Sequence, residues 1–262
     1  MGVPASLVKE LRDQTGAGMM DVKRALEESG GDLEAARRLL RERGMAQAAK
    51  RAGRETSEGV VLVTVSGHVG AIAGIGCETE PVSKNAEFLA FAERVLETVE
   101  GGESAGSLET ERAELVARLG ENIVVVDAAR MEADDGESLA EYVHPPANRI
   151  GVLVRLKGES PVTARRLAMH VSFAQPRYVT RDEIPEEDVR SEREIYAAQP
   201  DVLAKPEEVR EKIVEGMLQK RFYAESVLTE QVWIHDTSKS VAQALSEEGL
   251  EVLEFRRISV AG

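Results

Sequence analysis

The feature that most constrains the fold is a pair of apolar segments, Val60–Val65 and Val69–Ile75, separated only by Ser66-Gly67-His68. A connection of three residues is too short for a crossover between parallel strands, and it is typical of a turn between antiparallel ones. The two segments are therefore predicted to form an antiparallel β-hairpin.

Most of the remaining chain has the apolar spacing of helices. Helices are predicted at 86–99, 109–119 and 162–173, whereas strands are predicted only from Ile123 to Met131, from Ile150 to Leu156 and from Glu251 to Val260. Few strands among many helices, with an antiparallel hairpin, favour an α+β fold with antiparallel sheets over an α/β fold.

The first 45 residues predict a separate module of three short helices, which we call the head. Thr15-Gly16-Ala17-Gly18 separates the first helix from the second, and Asp32 is placed to cap the third. Gly44 is predicted to end the third helix. Residues 46–58 are rich in Ala, Lys, Arg and Glu without an apolar stripe, so we interpret them as an exposed helical linker.

Two similar segments suggest that the rest of the chain is a duplicated core. Glu78-Thr79-Glu80-Pro81-Val82 and Glu159-Ser160-Pro161-Val162 each follow a strand and precede a helix. We therefore predict a core of two subdomains, at 59–143 and 144–262. Within the second, two amphipathic patterns over 186–227 predict a projecting, antiparallel helical hairpin.

Composition and charge narrow the class of protein. The chain has 262 residues, 42% of them hydrophobic, and a net charge of −14, although residues 1–54 alone carry +3. An acidic protein is repelled by phosphate backbones, so nucleic acid is not expected as a direct partner. The absence of an apolar run of about 20 residues, of a signal peptide and of a second cysteine predicts a cytoplasmic protein that does not enter the membrane.

The sequence offers little chemistry for catalysis. It has no phosphate-binding loop of the Gly-x-x-x-x-Gly-Lys-Ser/Thr type and no Gly-x-Ser-x-Gly motif, and its four histidines are too widely spaced for a metal site. Cys77 follows a strand, which favours a small buried hydrophobe over a nucleophile. We therefore expect a binding protein without a cofactor or metal, and not an enzyme.

Several motifs then carry a family resemblance. The segment Leu7–Leu26, with its Thr-Gly-Ala-Gly-Met-Met-Asp run, closely resembles the N-terminal signature of the elongation factor Ts family. Further segments resemble the family in order along the chain: Cys77–Asn85, Gly120–Ile123, Arg149–Val154, Ala168–Val171 and Ile213–Gly216. The resemblance extends to about Val260.

The resemblance implies a guanine-nucleotide exchange factor for elongation factor Tu in translation elongation. It implies that the head is similar to a ubiquitin-associated domain and docks on the G domain of elongation factor Tu through Arg12, Met19, Met20 and Lys23. Core packing is the alternative for the methionines, but adjacent positions on a helix lie ~100° apart, so both cannot face the same core. Contacts with further domains of elongation factor Tu are also implied.

The resemblance also implies how exchange occurs. Thr79, Glu80, Pro81 and Val82 match the family's Thr-Asp-Phe-Val loop, which helps to dislodge Mg²⁺ from elongation factor Tu and so promotes GDP release. Proline in place of phenylalanine predicts a stiffer and shallower loop, with Glu80 held in extended geometry.

Two further parts of the chain match the family. His144 matches a histidine that touches the G domain, although residues 145–148 lengthen the segment before the next strand, and 186–227 matches the family's coiled coil. Two other classes stay open, an adaptor that uses only the ubiquitin-associated-like head and an enzyme of unknown type.

Overall fold

The computed structural model describes residues 3–260, so the outermost residues of the predicted domains, 1–2 and 261–262, lie outside it. The head contains three helices, α1 (Ala5–Thr15), α2 (Met19–Glu28) and α3 (Leu33–Arg51). Asp32 caps α3 by accepting a hydrogen bond from the Ala35 backbone N–H. The three helices enclose a small core of five fully buried side chains: Leu11, Val22, Ala25, Leu26 and Ala36.

The third helix is longer than the sequence predicted. Gly44 does not end α3, which continues to Arg51 through residues assigned to a linker. Gly44 is buried where α3 crosses the core, and a Cβ built on it would lie 3.4 Å from Ala117 Cβ. One turn on, Ala48 joins the hydrophobic core beneath. The packing of α3 on the core continues the helix past this glycine, and it ties the head to the core.

The first sheet contains the predicted hairpin. It has the order β1–β2–β3, all antiparallel, with β1 (Glu58–Ser66), β2 (Val69–Cys77) and β3 (Ile123–Glu132). Between β2 and β3 lie a single helical turn, α4 (Glu80–Ser83), and two helices, α5 (Ala86–Glu100) and α6 (Glu109–Leu119). The α+β fold with antiparallel sheets is confirmed.

The second sheet has the order β4–β5–β6, also antiparallel. Its strands are β4 (Glu137–Val143), β5 (Ile150–Lys157) and β6 (Glu251–Ser259), and α7 (Pro161–Ala174) and α12 (Val241–Glu247) belong to the same half of the chain. No strand is predicted at β4 from the sequence, because its residues form no apolar run. In the structure all of them are half-buried, which agrees with the missing pattern. A subdomain boundary drawn by sheet pairing would lie before β4 instead of after Val143.

The two sheets pack face to face between layers of helices. Alternate residues of one strand serve different layers: Val60 contributes to the core under α5 and α6, whereas Val61 contributes to the core between the sheets. In β5, Leu153 lies between the sheets and its neighbours Val152 and Val154 pack with α7. Glycine allows the close approach, because a Cβ at Gly74 would fall 2.4 Å from Ile258 Cγ2 of the other sheet.

The segment predicted as a hairpin leaves the core and returns to the same place. Tyr178 forms a β-bridge with Val227, so the two ends of the segment lie side by side. Between them are α8 (Glu186–Ala197), the short α9 (Pro200–Leu203), α10 (Glu207–Met217), a π-helical stretch over Leu218–Tyr223 and α11 (Ala224–Ser226). The segment has its own core, in which Tyr196, Val214 and Phe222 are buried.

Candidate functional site

The segment 79–82, which the family resemblance predicts to act on Mg²⁺ of elongation factor Tu, is held by Glu121. The backbone N–H groups of Glu78 and Thr79 donate to Glu121 Oε2 at 3.1 and 3.0 Å, and the Thr79 hydroxyl donates to Glu121 Oε1. Strand register produces this contact, because Cys77 pairs with Ile123 and the two chains continue opposite each other past the strand ends. The carboxylate therefore satisfies donors that would otherwise lack partners beyond the sheet.

A second set of contacts supports the base of the same segment. The Glu78 carboxylate accepts a hydrogen bond from the Asn122 backbone N–H at 2.6 Å and pairs with Arg54 at 3.4 Å. The Asn122 side chain, only 1% exposed, donates to the Arg54 carbonyl oxygen at 2.8 Å. These contacts join the chain before β1, the end of β2 and the start of β3 at one point.

The exposed part of the segment is helical and not extended. Thr79 has extended backbone angles (φ −131°, ψ 152°), but Glu80 begins α4, so the prediction of extended geometry at Glu80 is wrong. Proline is tolerated in the first turn of a helix, where its missing N–H would have no partner, and the Ser83 N–H bond to the Thr79 carbonyl closes the turn. Thr79, Glu80 and Pro81 are exposed, whereas Val82 is half-buried against the core.

Glu80 is an exposed, charged residue of this segment. Its carboxylate accepts a hydrogen bond from Lys84 Nζ at 2.6 Å, one helical turn on. This bond, the positive charge of Lys84 and, more weakly, the charge of Arg149 lower the pKa of Glu80. The carboxylate is therefore ionised at neutral pH and exposed to a partner protein.

The head presents the residues predicted to contact elongation factor Tu on its surface. Met19 is 57% exposed and Met20 is 63% exposed, so neither fills the core, which α2 supplies instead through Val22, Ala25 and Leu26. Arg12 is exposed, and Lys23 is exposed with a weak ion pair to Glu27 at 3.8 Å. Both methionines occupy the first turn of α2 and face solvent. The core-packing alternative for them is excluded.

His144 lies in the turn between β4 and β5. Its ring is exposed, and its Nδ1 lies 3.0 Å from the Tyr142 hydroxyl. The His144 backbone N–H donates to the Ile150 carbonyl oxygen at 2.9 Å, and this bond closes the turn that contains residues 145–149. At the end of this turn Arg149 forms an ion pair with Glu58 at the start of β1.

Two arginines connect these separate regions. The side chain of Arg118 on α6 packs on the α1–α2 turn, where a Cβ on Gly16 would lie 2.5 Å from Arg118 Cδ. Its Nε donates to Glu87, in the first turn of α5, at 2.7 Å. Arg149 influences both Glu80 and Cys77 electrostatically. Arg118 therefore connects the head turn to the start of α5, and Arg149 affects the charge of Glu80 from the end of the β4–β5 turn.

Cys77 and the histidines add no reactive centre among the described residues. Cys77 is fully buried, and burial raises the pKa of its thiol to about 12, so it is a poor nucleophile. Within residues 3–260 no group of three or more His, Cys, Asp or Glu side chains is arranged to hold a metal ion. In the same part of the chain no helix is both long and apolar enough to cross a membrane.

Sequence reasoning missed the residues that support the predicted ones. Glu121 was noted only as part of a familial segment, and Arg118 and Glu87 were not singled out. Glu121 would have been found from the pairing of Cys77 with Ile123, because that register places residue 121 opposite residue 79. No sequence signal identifies Arg118, whose contact with Gly16 depends on how α6 meets the head.

Comparison with known proteins identifies the class of protein. The family described as Elongation factor TS matches residues 78–262. Elongation factor Ts from Shewanella amazonensis is 42% identical over 265 residues, covering 99% of this chain and 91% of that protein. The proteins of the same name from Thioalkalivibrio sulfidiphilus and Escherichia coli O9:H4 are 41% and 40% identical, covering 99% and 98% of this chain and 92% and 91% of their own lengths.

These matches place the chain among translation elongation factors. More specifically, it belongs to the elongation factor Ts family, as the motif at Leu7–Leu26 indicated. The family model covers the second sheet, β3 of the first sheet and the segment 79–82, and the relatives extend over β1, β2 and the head as well.

Proposed function

We propose that this protein is a cytoplasmic guanine-nucleotide exchange factor that binds elongation factor Tu and promotes the release of GDP. Family membership supports the partner, and the exposed segment 79–82 held on Glu121 supports the mechanism. The protein acts by binding and not by covalent chemistry, and it needs neither a metal nor a cofactor of its own. Its net charge of −14 makes direct contact with nucleic acid unfavourable.

Exchange follows from linkage between two ligands of elongation factor Tu. Mg²⁺ bridges phosphate oxygens of a bound nucleotide to protein groups, so the ion and GDP hold each other in place. A protein that binds the empty conformation more tightly than the GDP-bound one must weaken GDP binding by the same factor. We propose that the segment 79–82 supplies this preference by entering the neighbourhood of the Mg²⁺ site.

The hydrogen bonds to Glu121 hold the segment 79–82 in one conformation, which favours its insertion near the Mg²⁺ site of elongation factor Tu. Glu121 accepts two hydrogen bonds from Thr79 and one from Glu78, and Val82 is packed on the core, so Glu80 and Pro81 are held as an exposed turn between fixed neighbours. A pre-ordered segment loses little conformational entropy when it binds. Proline offers far less apolar area than the phenylalanine of the family loop, so we expect Glu80 to contribute more of the effect here.

The head and the β4–β5 turn are proposed as the flanking contacts. Met19 and Met20 offer flexible apolar side chains to the G domain, with Arg12 and Lys23 beside them, and His144 is exposed near Arg149. We propose that the head is a ubiquitin-associated-like domain and that the core is divided into two subdomains, with the hairpin 186–227 as an additional arm towards other domains of elongation factor Tu.

Replacing single residues of the segment tests the mechanism. Glu80→Ala should slow GDP release from the cognate elongation factor Tu clearly, because it removes the projecting charge, whereas Pro81→Phe should match or exceed the natural chain. Stopped-flow fluorescence of labelled GDP measures both. Glu93→Ala, which removes an exposed carboxylate of α5, is the matched control and should have no effect. If Pro81→Phe slows release several-fold with the fold intact, the segment is adapted to proline, and the claim of a weakened wedge is wrong.

A further inference from the structure

A half-buried arginine of the last strand has no counter-ion among residues 3–260. Arg257 lies in β6, and its Nε donates to the Ser172 carbonyl oxygen in the last turn of α7 at 3.2 Å. This is the one hydrogen bond of its guanidinium within residues 3–260, and no carboxylate of that part of the chain forms an ion pair with it. Burial lowers the pKa of Arg257, but an arginine remains protonated at neutral pH. The chain therefore keeps a partly desolvated cation that is only partly compensated.

The unpaired cation lines a cavity. The cavity has a volume of about 490 Å³ and lies between the free edge of β6 and the loop after α7. Gln175 and Arg177 line it on the loop side, and consecutive residues of β6 line it on the other side. The volume falls within the ~300–1,000 Å³ range of small-molecule sites. The space beside Arg257 is therefore sufficient for a ligand and not only for a water molecule.

The charged side chains that line the cavity indicate which net charge a bound ligand should carry. Arg177, Arg256 and Arg257 line it together with Glu183 and Glu254. Four of these groups already have partners: Arg256 pairs with Asp127, Arg177 with Asp188, Glu254 with Arg155, and Glu183 accepts the Val179 N–H. Among the positively charged groups that line the cavity, Arg257 alone has no ion-pair partner within residues 3–260, so the cavity holds one cation without a counter-ion. A single negative charge fits, whereas a dianion would also face the two glutamates.

We propose that this cavity is a binding site for a carboxylate, held by two parallel hydrogen bonds from the guanidinium of Arg257. Within the described part of the chain the terminal nitrogens of Arg257 have no hydrogen-bond partner, and the planar fork of a guanidinium matches the two oxygens of a carboxylate. The carboxylate belongs either to a free organic acid or to an acidic residue of a peptide that lies along β6. The site is separate from the segment 79–82 and does not depend on the exchange function.

Titration with acetate, at ionic strength balanced with chloride, tests the proposal. Backbone amide chemical shifts of Gln175, Arg177 and Phe255 should move saturably, and inorganic phosphate should bind more weakly than acetate. A terminally blocked peptide with one glutamate should bind more tightly than acetate if the source is a peptide, and no more tightly if it is a free acid. Unsaturable shifts, or tighter binding of phosphate, would overturn the proposal.

Variants separate a specific site from general attraction. Arg257→Gln should weaken acetate binding by at least about tenfold, because charge-assisted hydrogen bonds are lost. Arg257→Lys keeps the positive charge but not the planar guanidinium, and it should weaken acetate binding several-fold. If Arg257→Gln does not fold, Arg257→Lys is the variant that tests the site. Arg38→Gln removes an exposed head arginine that forms no ion pair within residues 3–260, and it should change affinity by less than about twofold. An equal loss in Arg38→Gln, or none in Arg257→Lys, contradicts the site.

Discussion

At the scale of single residues, the structure separates the side chains proposed to contact a partner from the side chains that hold them in place, a distinction that the sequence does not show. The side chains proposed to contact elongation factor Tu, such as Met20 and Glu80, are exposed, whereas the residues that hold them in place, Glu121 and Asn122, are not fully open to solvent. Exposed groups can be replaced with little effect on the fold, so their contribution to binding can be measured separately.

The two methionines of α2 allow such a measurement. The double change Met19→Ala and Met20→Ala should weaken binding to elongation factor Tu by about 2 kcal/mol or more, since truncated interface anchors typically cost this much. The unfolding midpoint should hardly change, because both side chains are more than half exposed. Titration of fluorescently labelled elongation factor Tu gives the affinity.

Met45 provides the matched control for this pair. It is 50% exposed on α3, so Met45→Ala removes a similar surface side chain outside the proposed contact. Unchanged affinity of the double variant, or an equal loss in Met45→Ala, would show that Met19 and Met20 are not interface anchors.

A buried histidine should make stability depend on pH. His170 is fully buried and stacks on Trp233, with Nε2 at 2.9 Å from Gln231 Oε1 and Nδ1 accepting the Ile234 N–H at 3.3 Å. Burial, and more weakly the charge of His235, lower the pKa of His170 below 6.5. Below pH 6.5 the imidazole of His170 binds a proton in the unfolded chain but not in the folded chain. The free energy of unfolding therefore keeps the full contribution of neutral His170 above pH 6.5 and decreases as the pH falls below it.

The pH dependence is measured by urea unfolding followed through Trp233, the single tryptophan of the chain. The decrease in the free energy of unfolding below pH 6.5 should become smaller in His170→Asn. It should stay in His68→Asn, which changes an exposed histidine of the β1–β2 turn. An unchanged slope in His170→Asn would mean that other groups cause the pH dependence.

At the scale of elements, helices and strands with a periodic apolar pattern could be predicted from the sequence, whereas tertiary contacts could not. The three head helices, the β1–β2 hairpin and α7 follow from apolar spacing and turn residues, which act locally. The strand β4 was missed because no local pattern marks it, and its place is set by pairing with β5. The exposed segment 79–82 was found by resemblance to the family, whereas its brace on Glu121 depends on a contact 42 residues away in the chain.

The helix α3 shows how packing can override a local signal. Gly44 has the residue type of a helix end, yet α3 continues because Gly44 faces Ala117 of α6. Gly44→Ala should be tolerated or stabilising by up to about 1 kcal/mol, because a Cβ fits at 3.4 Å and alanine favours the helix. Gly44→Leu should cost about 1–3 kcal/mol by forcing the two helices apart.

Chemical unfolding of the full chain measures both changes. Ala46→Leu, at an exposed position of the same helix, controls for the size of leucine and should have little effect. If Gly44→Leu is as stable as the natural chain, then α3 and α6 do not pack as closely as described, and the head is not fixed to the core through this contact.

At the scale of the whole molecule, the two sheets pack face to face and exposed elements are attached to them. The head is joined through α3 and Arg118, the segment 79–82 through Glu121, and the hairpin through the bridge between Tyr178 and Val227. Such an arrangement can present several contacts to one large partner at the same time. In the proposed exchange function, any of these contacts that is stronger with the empty conformation than with the GDP-bound one would contribute to GDP release.

The most direct test of this account is the rate of GDP release. Elongation factor Tu loaded with fluorescent GDP is mixed with a large excess of unlabelled GDP and a substoichiometric amount of this protein, and the loss of fluorescence is followed. We expect release to accelerate in proportion to the amount of protein added, with each molecule acting many times, while the protein alone binds no labelled GDP. No acceleration, or tight binding of GDP by this protein alone, would contradict the account.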